Sequence, residues 1–236
     1  MAYLELSNVD TAYGKSQVLF DISMAVEEGQ LVALIGRNGA GKTTTLRSIT
    51  GQTPPLAGTI TFDGRDITDF TPEETSNAGI AMIPEDRQIF SRLTVEENLR
   101  IGTLGHETAD KVGEMFDIVF KYFPVLEERL GQKAGTLSGG EQQQLAIGRA
   151  LVSDPDILLV DEPTEGLMPT LVQSVRDILS EINESGLTMV LVEQNADLAL
   201  GISDYTYILN EGQIQDHDRS EVFLADDSFK EKYFIS

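Results

Sequence analysis

The run Gly36-Arg37-Asn38-Gly39-Ala40-Gly41-Lys42-Thr43 makes physical sense in one setting, a tight loop between a buried strand and a helix. It fits G-x-x-x-x-G-K-[ST], in which glycines let successive backbone N–H groups turn inward onto phosphate oxygens. Leu31-Val32-Ala33-Leu34-Ile35 before it is an apolar run of the kind a parallel strand covered on both faces requires. Thr44-Thr45-Leu46-Arg47-Ser48-Ile49 after it continues as a helix, whose positive dipole end adds to the field of the loop. Lys42 is expected to reach the β- and γ-phosphates of a nucleotide, and the Thr43 hydroxyl to hold Mg²⁺. The chain reads as a nucleotide-binding protein.

A length of 236 residues suffices for one large or two small domains with a sizeable core. At 41% hydrophobic the chain is globular rather than disordered. The absence of cysteine excludes disulfides and thiolate metal sites, and two histidines, His106 and His217, are too few for a histidine-rich one. No apolar run has the length of a membrane span and Met1-Ala2-Tyr3 opens no secretory signal, so a cytoplasmic chain, soluble by itself, is expected. Charge is the unusual quantity, with 39 acidic against 17 basic residues and a net of −22. Such a surface repels phosphate backbones and anionic lipid. No nucleic-acid partner is therefore expected, and any membrane attachment should run through a protein. The same charge fits a high-salt, halophilic cytoplasm, where repulsion is screened within a few ångströms.

Tyr3 to Val9 and Val18 to Val26 read as strands, and Gly58 to Phe62 as another that ends in the hairpin turn Asp63-Gly64. Thr71-Pro72-Glu73-Glu74 has the form of a capping box with proline at the first helical position. Ile80 to Ile83 is a short buried strand stopped by Pro84. Thr94-Val95-Glu96-Glu97 is a second capping box. Val112, Met115, Phe116, Val119, Phe120 and Phe123 then recur at helical spacing, and Ser138-Gly139-Gly140-Glu141 caps a third helix. From about residue 90 to 153 the pattern is helical throughout. Ile157 to Val160 is again an apolar strand. Leu171 to Ile182 line one helical face, Thr188 to Val192 form a buried strand, and Tyr205 to Ile214 a hairpin turning at Asn210-Glu211-Gly212. One α/β core with a helical insertion follows.

The strand from Ile157 to Val160 closes on two acids, Asp161 and Glu162. Acids at the C-terminal end of a parallel strand lie on the ligand edge of such sheets, here expected beside the phosphate loop of a neighbouring strand. Asp161 is suited to hold Mg²⁺ there, and Glu162 to orient or deprotonate an attacking water.

Leu137-Ser138-Gly139-Gly140-Glu141-Gln142, upstream of the acid-ended strand, resembles the signature sequence of the ABC ATPase family. Phosphate loop, helical insertion, signature and Asp161-Glu162 occur in that family's order and cover nearly the whole chain. The resemblance implies an α/β P-loop NTPase (RecA-like) core with an N-terminal antiparallel β subdomain and an inserted α-helical subdomain. Residues 1–89 and 154–236 would form the core with its β subdomain, and 90–153 the helical subdomain. It also implies ATP and Mg²⁺, and head-to-tail dimers in which each ATP lies between one subunit's phosphate loop and the other's signature. Gly36, Arg37, Asn38, Gly39, Ala40, Gly41, Lys42, Thr43 and Thr44 would then cradle the phosphates. Ser138, Gly139, Gly140 and Glu141 would face the partner's nucleotide, and Tyr13 stands where the family stacks an aromatic on adenine.

Three positions depart from the family's usual pattern. Glu85 replaces a glutamine at the hinge after Pro84, where a carboxylate can still ligate Mg²⁺ but only accepts hydrogen bonds. Gln194 replaces a histidine that contacts the γ-phosphate. Its amide donates but cannot titrate, so no pH step near ~6.5 is expected from it. Met168 replaces an aspartate in Pro163-Thr164-Glu165-Gly166-Leu167-Met168-Pro169, which should weaken signalling across the dimer.

Pro84-Glu85 and Val192-Glu193-Gln194-Asn195 are nevertheless similar to one subgroup, the LivF-type ATPases of branched-chain amino acid importers. Glu162 is retained, so hydrolysis is expected. The implied function is an import ATPase whose dimer closes on ATP and drives membrane permeases from the cytoplasmic face. A second ATPase subunit, permease subunits and, indirectly, an extracellular solute-binding protein are the implied partners. Urea or short-chain amide import, or a non-transport role such as iron–sulfur assembly, are the alternatives.

Overall fold

Strands that read as unbroken apolar runs lie where both of their faces are covered. In the computed structural model, which describes residues 2–104, 109–226, 228 and 229, six strands build one sheet. They are β3 (Leu31–Ile35), β6 (Ile80–Ile83), β7 (Ile157–Asp161), β8 (Thr188–Glu193), β9 (Tyr205–Asn210) and β10 (Gln213–Arg219). Their order is β10-β9-β3-β8-β7-β6, and all pairs are parallel except the β9–β10 hairpin. Side chains alternate across this sheet with the period of two that a strand imposes. Leu31, Ala33 and Ile35 face one core with Leu158, Val160, Met189 and Leu191. Val32 and Leu34 face the other with Ile157, Leu159, Val190 and Val192.

The second core is closed by β1 (Leu4–Tyr13), β2 (Ser16–Val26), β4 (Ala57–Phe62) and β5 (Arg65–Asp66), an antiparallel sheet in the order β2-β1-β4-β5. Asp63-Gly64 and Glu211-Gly212 have φ of 47° and 71°, and 48° and 75°. These are the left-handed pairs a two-residue hairpin turn needs. The helices are α1 (Lys42–Ile49), α2 (Pro72–Asn77), α3 (Val95–Gly102), α4 (Ala109–Tyr122), α5 (Pro124–Glu128), α6 (Gly139–Leu151), α7 (Pro169–Glu184), α8 (Ala196–Leu200) and α9 (Ser220–Leu224). All three anticipated capping boxes form, at Thr71, Thr94 and Ser138. Among the described residues between β6 and β7 there is no strand, only helices, turns and one isolated bridge, Thr94 to Lys133.

Two features differ from the sequence reading. Asp161 does not end a strand next to the phosphate-loop strand, because β8 lies between β7 and β3. Strand order is set by pairing over long sequence separations, and no local pattern encodes it. The second strand of the late hairpin does not stop at Ile214 but continues as β10 to Arg219, and α9 follows it. Met1, His106, Asp227 and residues 230–236 lie outside the described residues, as do 105, 107 and 108 of the helical segment. Among the described residues no helix is long and apolar enough to cross a membrane.

Candidate nucleotide site

The C-terminal ends of β3, β8 and β7 share one edge of the sheet, and the loops leaving them meet there. Glycine is required at two points of the 36–43 loop. A Cβ at Gly36 would collide with the Leu209 carbonyl oxygen, and Gly41, at φ 112°, would push one into Leu19. The loop is closed by Ala40 N–H donating to the Arg37 carbonyl at 3.1 Å, and braced from outside by Gly212 N–H on the Ala40 carbonyl at 2.8 Å. That brace, from the turn of the β9–β10 hairpin, has no signal in the sequence.

Helix α1 starts at Lys42 with no side-chain cap and no acid in its first turn. Helices α2, α3 and α6 each place a glutamate there. The positive end of α1 is thus left for an external anion. Lys42 is 4% exposed, and its ammonium donates to the Gly36 and Arg37 carbonyls at 2.9 and 3.1 Å while pairing with Glu162 Oε1 at 2.9 Å. Three acceptors satisfy its three protons.

Thr43 Oγ1 donates to Asp161 Oδ1 at 3.2 Å, although β7 is not a neighbour of β3, the strand that leads to Thr43. Burial pushes the Asp161 carboxyl up to about 6. The Thr43 bond opposes the shift, and the charges of Glu162 and Glu85 add to it. A desolvated carboxylate beside a hydroxyl, both hard oxygen donors, fits Mg²⁺. Among the described residues no three His, Cys, Asp or Glu side chains form a metal cluster, so nucleotide oxygens and water would have to complete such a shell. Glu162 sits in the left-handed region at φ 42°, a conformation that costs roughly 1–3 kcal/mol at a non-glycine residue. Its N–H donates to the Val192 carbonyl at 2.9 Å.

Open space surrounds these groups. A cavity of 440 Å³ lies over Asn38, Gly39, Gly41, Lys42, Thr43 and Thr44 and reaches Glu85 and Glu162. A second, of 280 Å³, shares Thr43 and Glu85 with it and holds Asp161. A third, of 310 Å³, shares Glu162 and runs to the exposed Gln194. Tyr13 ends β1, 44% exposed, with its hydroxyl accepting from Arg47 at 3.4 Å. Burial acts to raise its phenol, but hydrogen bonds from Thr44, Thr53 and Arg47 outweigh it and leave the pKa below its usual value.

Ser138, Gly139, Gly140 and Glu141 line none of these three cavities. Ser138 and Gly139 are exposed, whereas Gly140 is buried under Leu171 of α7. Glu141 is committed to its own helix start, accepting from Ser138 N–H at 2.8 Å and pairing with Arg129 at 3.0 Å. The hinge after β6 is tied to this helix. Arg87 Nε donates to Gln143 Oε1 at 2.9 Å, and Arg149 donates to the carbonyls of Gln88 and Arg87 at 2.6 and 3.1 Å. Neither arginine stands out in the sequence, because each partner lies more than fifty residues away.

The sequence profile of the family described as ABC transporter matches residues 19–165, more than half of the chain. This chain belongs to the ABC transporter family. Over 98% of both chains it is 44% identical to the high-affinity branched-chain amino acid transport ATP-binding protein BraG of Pseudomonas aeruginosa. Over 96% of both it is 36% identical to the probable branched-chain amino acid transport ATP-binding protein LivF of Archaeoglobus fulgidus. Among solved structures, an ATP-binding cassette of an ABC transporter in its ADP conformation superposes with a TM-score of 0.87, at 29% identity over 98% of each chain. The expected fold, a P-loop core with an antiparallel β sheet and an inserted helical segment, is the fold of this ABC protein.

Proposed function

We infer that this ABC ATPase is the ATP-hydrolysing, energy-coupling subunit of an importer for branched-chain amino acids. Two relatives named for branched-chain amino acid transport, matched over nearly their whole length, support the substrate class. The observation that carries the chemistry is the approach of Asp161 to Thr43 at 3.2 Å with the Lys42–Glu162 pair beside it. In this reading the loop from Gly36 to Thr44 wraps the phosphates of ATP and Lys42 neutralises the β- and γ-oxygens. Thr43, Asp161 and, from the hinge, Glu85 would hold Mg²⁺, which when bound would offset the negative charge of the phosphoryl group. Glu162 orients or deprotonates water, and Gln194 donates a hydrogen bond to the γ-phosphate. Tyr13 stacks on adenine.

Ser138 and Gly139 are exposed at the start of α6 and line none of the cavities around Lys42. That supports a site completed by a second ATPase subunit, with the signature residues Ser138 to Glu141 facing its nucleotide. We assign residues 90–153 to a helical subdomain and the rest to the core. The groove between them, near Glu85, would take a cytoplasmic helix of the permease and hold the chain peripherally on the membrane.

The test is to isolate the chain from solubilised membranes in high salt and identify its companions. A second ATPase, two permeases and a binding protein loaded with leucine, isoleucine or valine are expected. A binding protein loaded with urea or an amide would overturn the substrate, and recovery only with soluble proteins would overturn the importer.

A further inference from the structure

Glu193 ends β8, a strand whose other residues are Thr188, Met189, Val190, Leu191 and Val192, and it is itself 3% exposed. An apolar side chain would fill that place without the desolvation cost a carboxylate brings. The carboxylate makes two bonds of good geometry, and the backbone N–H of Thr164 adds a smaller stabilisation. Oε1 accepts from Thr164 Oγ1 at 2.7 Å, and Oε2 accepts from Asn195 N–H at 3.3 Å. Thr164 is buried two residues past Glu162, and Asn195 follows Gln194 and caps α8 through its Oδ1 on Leu198 N–H at 3.2 Å. The carboxylate therefore spans the two loops that leave neighbouring strands β7 and β8, one bearing Glu162 and the other Gln194. The parallel pairing of β7 and β8 ends at Asp161 and Val192, where Glu162 N–H donates to the Val192 carbonyl at 2.9 Å; the Glu193 carboxylate carries the link beyond that point, to Thr164 and Asn195.

We propose that Glu193 is a positioning residue: it clamps the loop of Glu162 to the loop of Gln194 and so sets where the water and the γ-phosphate meet. This rests on the hydrolytic reading of Glu162 given above. Burial raises the Glu193 carboxyl above its usual range, and the bonds from Thr164 and Asn195 hold it down in part. The bonds, not the titration, carry the inference. A glutamine in its place keeps one acceptor oxygen for Thr164 but turns an N–H₂ donor toward the Asn195 N–H, so one arm of the clamp is lost. The hydroxyl of Thr164 is the other arm.

The experiment is steady-state hydrolysis of Mg-ATP by the 236-residue chain and by Glu193→Gln, Thr164→Val, Thr164→Ser and the Glu193→Gln/Thr164→Val double variant. Each of Glu193→Gln and Thr164→Val is expected to lower kcat by ~10- to 100-fold, the usual consequence of losing a group that orients a reacting one. KM for ATP should stay unchanged, because the phosphate loop is not touched. The double variant should be no slower than the slower single one, and Thr164→Ser should recover what Thr164→Val loses. Should Glu193→Gln fail to fold, the Thr164→Val and Thr164→Ser pair carries the test alone. Variants with lowered thermal stability but unchanged kcat per folded molecule, or with additive losses, would overturn the clamp. Failure of the underlying reading looks different: the parent chain would bind ATP without hydrolysing it, or Glu162→Gln would hydrolyse as fast as the parent.

Discussion

Lys42 and Glu162 form a buried ion pair of 2.9 Å, their side chains 3% and 10% exposed, across the mouth of the phosphate loop. The two groups to which the proposed function gives opposite tasks are thus each other's partner. Under the proposed function, a γ-phosphate entering here would take over the lysine and free the carboxylate for water.

Replacing Glu162 by glutamine separates the two roles. Hydrolysis should fall by ~10²- to 10⁴-fold, the range for losing a positioned base, while nucleotide affinity is kept or increased because Lys42 loses a competing anion. Phosphate release and titration with a fluorescent nucleotide measure the two. Parallel loss of both would mean that Glu162 holds the lysine in place rather than competing for it.

Asp161 gives a pH signature. Its carboxyl rises from an ordinary 3.8 to about 6 in the fold. Between those values the folded chain keeps this proton and the unfolded chain has lost it. The contribution of Asp161 to stability therefore falls as pH rises from about 4 to about 6 and is level above. Denaturant unfolding of the nucleotide-free chain against Asp161→Asn, from pH 4 to 8, should show the difference between the two changing only in that window. A constant difference would contradict the shifted carboxyl. With Mg-ATP saturating, kcat should show no step assignable to position 194, whereas Gln194→His should introduce one without raising the maximum rate.

Met168 occupies the N-cap of α7, 65% exposed, with no side-chain bond to the helix and no acid in the first turn. Met168→Asp supplies an acceptor where the family usually has one. Stability should rise by ~0.5–2 kcal/mol. The comparison belongs at high salt, so that the added charge does not offset the cap. An unchanged unfolding midpoint would show that the helix start gains nothing from an acceptor there.

The net charge of −22 predicts a salt response. The unfolding temperature should climb as KCl rises from ~0.1 M to ~1 M, over which the screening length shrinks from about 10 Å to about 3 Å. A flat response would remove the argument for a high-salt cytoplasm.

The phosphate loop and the capping boxes at Thr71, Thr94 and Ser138 are legible in the sequence because their chemistry closes within a few residues. A glycine turns its own backbone, and a capping glutamate finds its serine or threonine three positions back. The apolar runs Leu31–Ile35 and Ile157–Val160 are legible for a related reason, since a strand covered on both faces has no polar position to spare. Glu162, Lys42 and Asp161 could be singled out from such motifs taken together. Glu193 could have been found only from its oddity, a carboxylate closing an apolar strand.

By itself, then, the sequence determined the local units: which segments are strands, where helices begin, and which loop can hold phosphate. The tertiary structure alone decided that β8 lies between β7 and β3, that Gly212 braces Ala40, that Arg149 holds the hinge and that Glu193 joins two loops. Each of these contacts spans tens to more than a hundred residues of chain. Its partner is chosen by how strands pair and pack, and no single segment carries that information.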